Sequence, residues 1–280
     1  MIKDITIGQY FPFNSVIHRL DPRTKLLFTI VFIVTVFLAN NFVSLFFCML
    51  LSAAVIGLSK IPVKTVMKGL KPILLIIVIT SILQIAYVDS GIVLVDEWKI
   101  KITSGGILTA VFMTLRISLL IVMSTMLTYT TSPTSLTNGL DRMFAPLKKL
   151  GIDFHTVTMI MTIALRFIPT LIEEVDKIMS AQKSRGASFD QGNLMKRAKA
   201  LIPLFIPLLF NSIRRAYELA NAMTCRCYNG GKGKTTMNAL KFSLRDYMSI
   251  LVMAFLIGGI IVLNIFCGEY NAEFTFNLAV

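Results

Sequence analysis

The chain has 280 residues, of which 55% are hydrophobic and 15% are charged, and its mean hydropathy is +0.73. Soluble domains seldom reach that average, because they need polar residues to cover their surface. The formal net charge is +13, but the basic residues are interleaved with acids and flank apolar runs, so we expect no nucleic-acid partner. The composition predicts an all-α polytopic membrane protein whose main surroundings are the lipid bilayer.

The first half of the chain, 1–131, is predicted to be an N-terminal membrane region. Residues 1–24 are a lead-in that ends in a helix start, because Asp21 is a good cap and Pro22 fits the first helical position. Segments 93–95 and 100–102 are expected to pair as a short hairpin. Four apolar runs near bilayer length predict spans at about 25–40, 42–58, 72–88 and 105–129.

The charge pattern predicts the orientation of these spans. Residues 19–25 and 60–71 are basic, whereas 89–97 is mostly acidic. Because cytoplasmic loops carry the excess of lysine and arginine, we expect a cytoplasmic N-terminus. Within 244–280, a last apolar run at about 247–267 is expected to cross the membrane and leave the C-terminal tail outside.

The segment 132–243 is helical by pattern but too charged for simple spans. Pro133 opens a short amphipathic helix, and two long helices are predicted at about 153–184 and 193–228. Their first halves are apolar enough to touch lipid or the spans, and their second halves are polar. The expected fold is therefore a cytoplasmic coupling domain of one short and two long crossed helices.

The two long helices form a weak internal repeat. Each contains Phe-Ile-Pro and ends in an alanine followed four residues later by an arginine. The matching positions are Pro169 and Pro207, Ala181 and Ala222, and Arg185 and Arg226. An alanine four residues before an arginine lies on the same helix face and permits close approach of another surface. Two such ends suit two similar sockets; alternatively, both arginines are solvated charges near the last helix carbonyls.

Other charged residues of the first long helix have two interpretations. Arg166 lies in an apolar stretch and needs a partner or an interfacial position, and Glu173 or Glu174 could supply the partner. The two acids also fit a solvated face, since Glu173 and Lys177 have the spacing of an intrahelical ion pair. We keep Arg166, Glu173 and Glu174 as structural or coupling candidates, together with the two prolines.

No catalytic, cofactor or metal site is expected in this chain. The segment Gly230 to Thr235 ends in Gly-Lys-Thr, but Tyr228 occupies the place of the first glycine of a phosphate loop. The Cys225-x-Cys227 pair lacks the two-residue gap of common zinc sites. The alternatives from other classes are an intramembrane enzyme and a secondary transporter. An enzyme would need paired acids or histidines at bilayer depth, but the acids fall in loops or in the long helices. A secondary transporter would favour inverted repeats, which the single late charged segment fits poorly.

Two motifs resemble one family of membrane proteins. One is the lead-in Ser-Val-Ile-His-Arg-Leu-Asp-Pro-Arg-Thr-Lys at 15–25. The other begins with Ala-Leu-Arg-Phe-Ile-Pro at 164–169 and leads to Ala-Gln-Lys-Ser-Arg-Gly at 181–186. Both are similar to motifs of the transmembrane T component of energy-coupling factor (ECF) transporters, the EcfT/CbiQ family. The similarity covers nearly the whole chain. Cys227 departs from the usual glycine or small residue after the second arginine.

The resemblance implies a scaffold and energy-coupling subunit without enzyme activity. It links two ABC ATPase subunits, which bind the ATP, to a substrate-binding S component for vitamin or micronutrient uptake in a prokaryotic cell membrane. We expect a scaffold shared among several S components; a dedicated cobalt, nickel or biotin permease subunit is the alternative. The implied ATPase-coupling residues are Ala181, Ser184, Arg185, Gly186, Ala222 and Arg226.

Overall fold

The structure is a computed structural model that describes residues 10–88, 92–97, 100–146, 154–187, 189, 194–228 and 242–277. Within these ranges the side chains at 93–102, 194, 196–198 and 266–277 are not described. The Gly-Lys-Thr segment at 230–235 lies outside the described residues. The chain divides into two compact units, which we name the membrane unit (Gly8–Gly139 with Leu240–Val280) and the helix-pair unit (Met1–Ile7 with Leu140–Ala239).

Helices make up almost all the described secondary structure of the membrane unit, which confirms the predicted all-α class. They are α1 (Pro22–Leu38), α2 (Phe42–Ser59), α3 (Val63–Leu70), a 3-10 turn (Lys71–Ile73), α4 (Leu74–Tyr87), α5 (Ser104–Thr130), the first part of α6 (Pro133–Met143) and α9 (Leu244–Asn277). The expected hairpin is also present, with β1 (Val93–Glu97) antiparallel to β2 (Ile100–Thr103).

The lead-in motif joins the starts of α1 and α9. Asp21 caps α1 by accepting from the Arg23 N–H at 3.0 Å, and Pro22 is the first helical residue, as predicted. The carboxylate of Asp246, which is 1% exposed, accepts from the Asp21 N–H and the Thr24 hydroxyl. Its other oxygen accepts from the backbone and hydroxyl of Ser243. The buried Asp246 carboxylate thus accepts four hydrogen bonds, so the connection between the starts of α1 and α9 is strong.

The core of the membrane unit lies where α1, α2, α5 and α9 meet, around Phe32, Leu45, Met123 and Ile260. The outward faces of the same helices are equally apolar. Phe46 is 60% exposed, Leu75 is 70% exposed and Phe255 is 81% exposed. Apolar surface on that scale suits lipid rather than water.

Five described helices are long and apolar enough to cross a bilayer, so the chain is a multi-pass membrane protein. They are Phe42–Ser59, Val63–Tyr87, Ser104–Thr130, Phe154–Ser184 and Leu244–Ile265. This set differs from the predicted one, because α1 has only 17 residues and the first long helix of the predicted cytoplasmic domain is included. In addition, α9 continues to Asn277, beyond the predicted end near 267, since no proline follows to stop it.

The helix-pair unit is built on α7 (Phe154–Ser184) and α8 (Leu194–Cys225), which match the predicted helices within three residues. Both continue through their internal prolines. The last part of α6 packs on the start of α7: the Thr158 hydroxyl donates to the Asp141 carboxylate at 2.7 Å, and His155 Nδ1 lies 3.1 Å from the same carboxylate.

Candidate functional site

The end of α7 is a glycine-terminated helix cap directly after an arginine. Gly186 has a φ of +85°, in the left-handed region, and its N–H donates to the carbonyl of Lys183 at 3.0 Å. The N–H of Ala187 donates to the carbonyl of Gln182 at 3.0 Å. These two bonds define a Schellman motif, which ends the helix at a fixed position. Arg185 is therefore held at the tip of the helix.

The end of α8 has the same backbone geometry without a glycine. Cys227 has a φ of +57°, and its N–H donates to the carbonyl of Thr224 at 2.9 Å. The N–H of Tyr228 donates to the carbonyl of Met223 at 3.0 Å. Cys227 therefore takes the role of Gly186, and Arg226 is placed on its helix as Arg185 is on α7. The departure from the family pattern changes the residue but not the fold of the cap.

Both arginine tips lie on the exposed surface of their helices. Arg185 and Arg226 are exposed, and so are Ala181 and Ala222 one turn earlier. Among the described residues, neither arginine forms an ion pair. Arg214, also exposed, differs in that it pairs with Glu218 on its own helix. The tips are thus free to meet another molecule.

A half-buried acid joins the two helices in their middle. Glu174 on α7, whose side chain is 13% exposed, accepts a hydrogen bond from the Asn211 side chain and lies 3.0 Å from the Arg215 guanidinium, both on α8. The expected pairing of Glu173 or Glu174 with Arg166 is wrong. Arg166 is exposed, and eight residues, or about 12 Å of helix, separate it from Glu174.

The contacts make α7 and α8 antiparallel. The Tyr228 hydroxyl donates to the sulfur of Met159 at 2.9 Å, so the end of α8 lies beside the first turns of α7, whereas Glu174 meets the middle of α8. Arg185 lies eleven residues after Glu174, and Arg226 lies eleven residues after Arg215. At about 1.5 Å per residue, the two tips extend about 16 Å in opposite directions from the Glu174 contact.

The other sequence-derived candidates lie on the same two helices. Glu173 and Pro169 are exposed, and Pro207 is half-buried within α8. The Ser184 hydroxyl donates to the carbonyl of Ser180. The sequence reasoning missed Asn211 and Arg215; an amide inside the apolar part of α8 was the one signal that could have indicated them.

Comparisons with known proteins agree on one family. The family described as cobalt transport protein (CbiQ) matches residues 13–237. The chain is 48% identical over 248 residues to the energy-coupling factor transporter transmembrane protein EcfT of Ruminiclostridium cellulolyticum, covering 89% of this chain and 92% of the relative. It is 44% identical to the EcfT of Clostridium kluyveri, covering 96% and 100%, and 41% identical to that of Bacillus subtilis, covering 92% and 98%.

Proposed function

The chain belongs to the EcfT/CbiQ family of transmembrane components of ECF transporters, and from that premise we propose that it couples two ATPase subunits mechanically to a substrate-binding S component. The observation that supports this most is the pair of arginine-tipped caps on α7 and α8. They share one backbone geometry, although Gly186 and Cys227 differ. Two like tips suit two like sockets, as a pair of related ATPase subunits would offer.

Each tip is suited to a groove on a soluble partner. The guanidinium of Arg185 or Arg226 presents a planar set of donors that bonds carboxylates or carbonyl groups in fixed geometry. Ala181 and Ala222, one turn before the arginines, have small side chains, so that the partner can approach the helix closely. The Ser184 hydroxyl already donates to a carbonyl of its own helix, so Ser184 contributes mainly its small size.

The Glu174 contact is the proposed pivot of the movement. Because the tips lie on opposite sides of this contact, a change in the distance between two ATPase subunits moves both helices about it. The pairing of Glu174 with Arg215 and Asn211 holds this contact in place while the tips move. Pro169 and Pro207 each remove one backbone hydrogen bond near the pivot, which leaves the helices able to bend there. The apolar halves of α7 and α8, including Arg166 at the border, face the membrane or the S component.

The proposed location is the cell membrane of a prokaryote. The basic segments 19–25 and 60–71 favour a cytoplasmic N-terminus. We assign the five spans to α1, α2, the α3–α4 segment, α5 and α9, so that the C-terminus lies outside and α7 and α8 lie on the cytoplasmic side. At about 26 Å, α1 is slightly shorter than the hydrocarbon core and starts at its edge.

The S component, rather than this chain, selects the vitamin or micronutrient. We propose the shared form of the scaffold, which serves several S components. If every purified complex contained the same S component, the chain would instead be a dedicated metal or biotin permease subunit.

Co-purification tests the proposal. Tagged wild-type chain, solubilised in mild detergent, should retain two ATPase chains and an S component. The Arg185→Ala/Arg226→Ala variant should lose the ATPases and keep the S component. Arg214→Ala, which removes an exposed arginine from the side of α8, is the matched control and should retain all partners. Wild-type amounts of ATPase on the double variant would refute the proposal.

A further inference from the structure

An apolar cavity and a basic cleft adjoin each other in the membrane unit. The cavity has a volume of about 280 Å³ and lies where the start of α1, the end of α2, the end of α5 and the start of α9 meet. The cleft measures about 390 Å³. Both are lined by Val16, Leu58 and Arg245, so they are neighbours, and we name the two together the depression, with an apolar part and a charged part.

The cavity has the lining of a hydrocarbon site. Its walls include Phe28, Leu51, Val55, Met126 and Val252. Lys25 also reaches the wall, but its ammonium donates to the carbonyls of His18 and Thr130 at 3.1 and 2.9 Å and is thereby occupied. Apolar space of this kind favours a flexible hydrocarbon chain over water.

The cleft carries three exposed cations from three parts of the chain: Arg19 in the lead-in, Lys60 after α2 and Arg245 in α9. Among the described residues, none of the three forms an ion pair. The nearby Arg23 contrasts with them, because it lies 3.7 Å from the Asp21 carboxylate and over the Phe242 ring. The cleft therefore has three positive charges that no carboxylate in the described part of the chain pairs with.

We propose that this depression binds one anionic phospholipid, with an acyl chain in the cavity and the phosphate between Arg19, Lys60 and Arg245. Charge complementarity decides the occupant. A zwitterionic lipid brings an ammonium group into a cleft that is already positive, and an apolar helix of a partner protein would leave the three cations uncompensated. An anionic headgroup compensates the three cations, and an acyl chain of the same lipid fills the cavity. The lipid would then link α1, α2 and α9.

Fluorescence quenching by brominated lipids tests the site in the full-length chain reconstituted into vesicles. The only tryptophan, Trp98, is replaced by phenylalanine, and Val252→Trp places a reporter at the cavity. Ile79→Trp, on the lipid-exposed face of α4, is the matched control. Phosphatidylglycerol and phosphatidylcholine with brominated chains are titrated separately, and the ratio of their half-quenching mole fractions is measured.

The cavity reporter should show a preference of about fivefold or more for phosphatidylglycerol, since each basic residue near the headgroup adds about that factor. The control reporter should show a ratio near one. Arg19→Gln/Lys60→Gln/Arg245→Gln should bring the cavity ratio to about one, whereas a triple glutamine variant of Lys64, Lys68 and Lys71, outside the cleft, should keep the preference. If the cleft variant fails to fold, Ala54→Phe, which fills the cavity and spares the charges, should also abolish the preference.

Three results would overturn the proposal. Equal quenching by both lipids at the cavity reporter would mean ordinary lipid contact without a site. Relief of phosphatidylglycerol quenching by water-soluble glycerol 3-phosphate would mean that the cleft binds free phosphate. A cavity reporter that neither lipid quenches would mean that a protein segment fills the space.

Discussion

Cys227→Gly should stabilise the end of α8. An L-residue in the left-handed region costs about 1–2 kcal/mol, whereas glycine adopts it freely. Glycine also loses about 0.5–1 kcal/mol more conformational entropy on folding. The observed φ of +57° therefore gives a net stabilisation of about 0.5–1 kcal/mol for the cap, or about a two- to fivefold change in its opening equilibrium.

Hydrogen exchange measures this change directly. The amides of residue 227 and Tyr228 close the cap through their bonds to Thr224 and Met223, and they exchange when the last turn frays. Cys227→Gly should slow their exchange about two- to fivefold and leave amides in the middle of α8 unchanged. A serine at this position is the control, since it removes the thiol but keeps the strain, and it should exchange like the wild type.

The end of α7 provides the reverse experiment. Gly186 has open space around its Cα, with nothing within 4 Å of an added Cβ, so Gly186→Ala adds backbone strain and no clash. Exchange at 186 and 187 should become faster by a similar factor. Unchanged exchange in both variants would refute the view that the two caps are equivalent Schellman motifs.

Four further predictions concern the tips, the pivot and the lead-in. Arg185→Lys or Arg226→Lys keeps the charge but loses the planar fork, so retention of the ATPases in pull-downs should fall about tenfold relative to wild type. Glu174→Gln removes the charge that pairs with a half-exposed arginine, and should lower the free energy of unfolding of the purified chain by about 0.5–1 kcal/mol. Asp246→Asn replaces one accepting oxygen by an NH2 donor, which then faces two donors and leaves them unpaired. The change should cost about 1–3 kcal/mol, seen as a lower melting temperature in detergent. Burial, with the charge of a nearby lysine, lowers the pKa of His18 below its usual 6.5. Below pH 6.5 the unfolded chain therefore binds a proton that the folded chain does not, so the melting temperature should fall as the pH drops. His18→Gln should remove that part of the pH dependence.

The sequence predicted the features that depend on local chemistry. Asp21 and Pro22 begin α1, and the hairpin forms at the expected segments, because each follows from residues adjacent in the chain. The left-handed Cys227 was not expected, since an L-residue there opposes the local preference.

Features that depend on tertiary contacts were missed or misassigned. One interpretation paired Glu173 or Glu174 with Arg166 on the same helix, whereas the structure pairs Glu174 with Arg215 on the next helix. Arg116, inside α5, donates to the carbonyl of Ala39 and lies 4.7 Å from the Phe112 ring centroid. An arginine at that depth needs such partners, but no spacing rule indicates which carbonyl of another helix it will meet.

The distance between the two helix ends tests the mechanical account most directly. Spin labels at Ser184→Cys and Thr224→Cys, both exposed positions, are introduced into a chain without its native cysteines and assembled with its ATPases and S component. Pulsed electron–electron double resonance then measures the distance between the two labels in the nucleotide-free complex and in the complex holding a non-hydrolysable ATP analogue. The account predicts that the main distance changes by at least about 2 Å and that Arg185→Ala/Arg226→Ala abolishes the change. The same distance distribution in both states, in a complex that still hydrolyses ATP and transports, would contradict it.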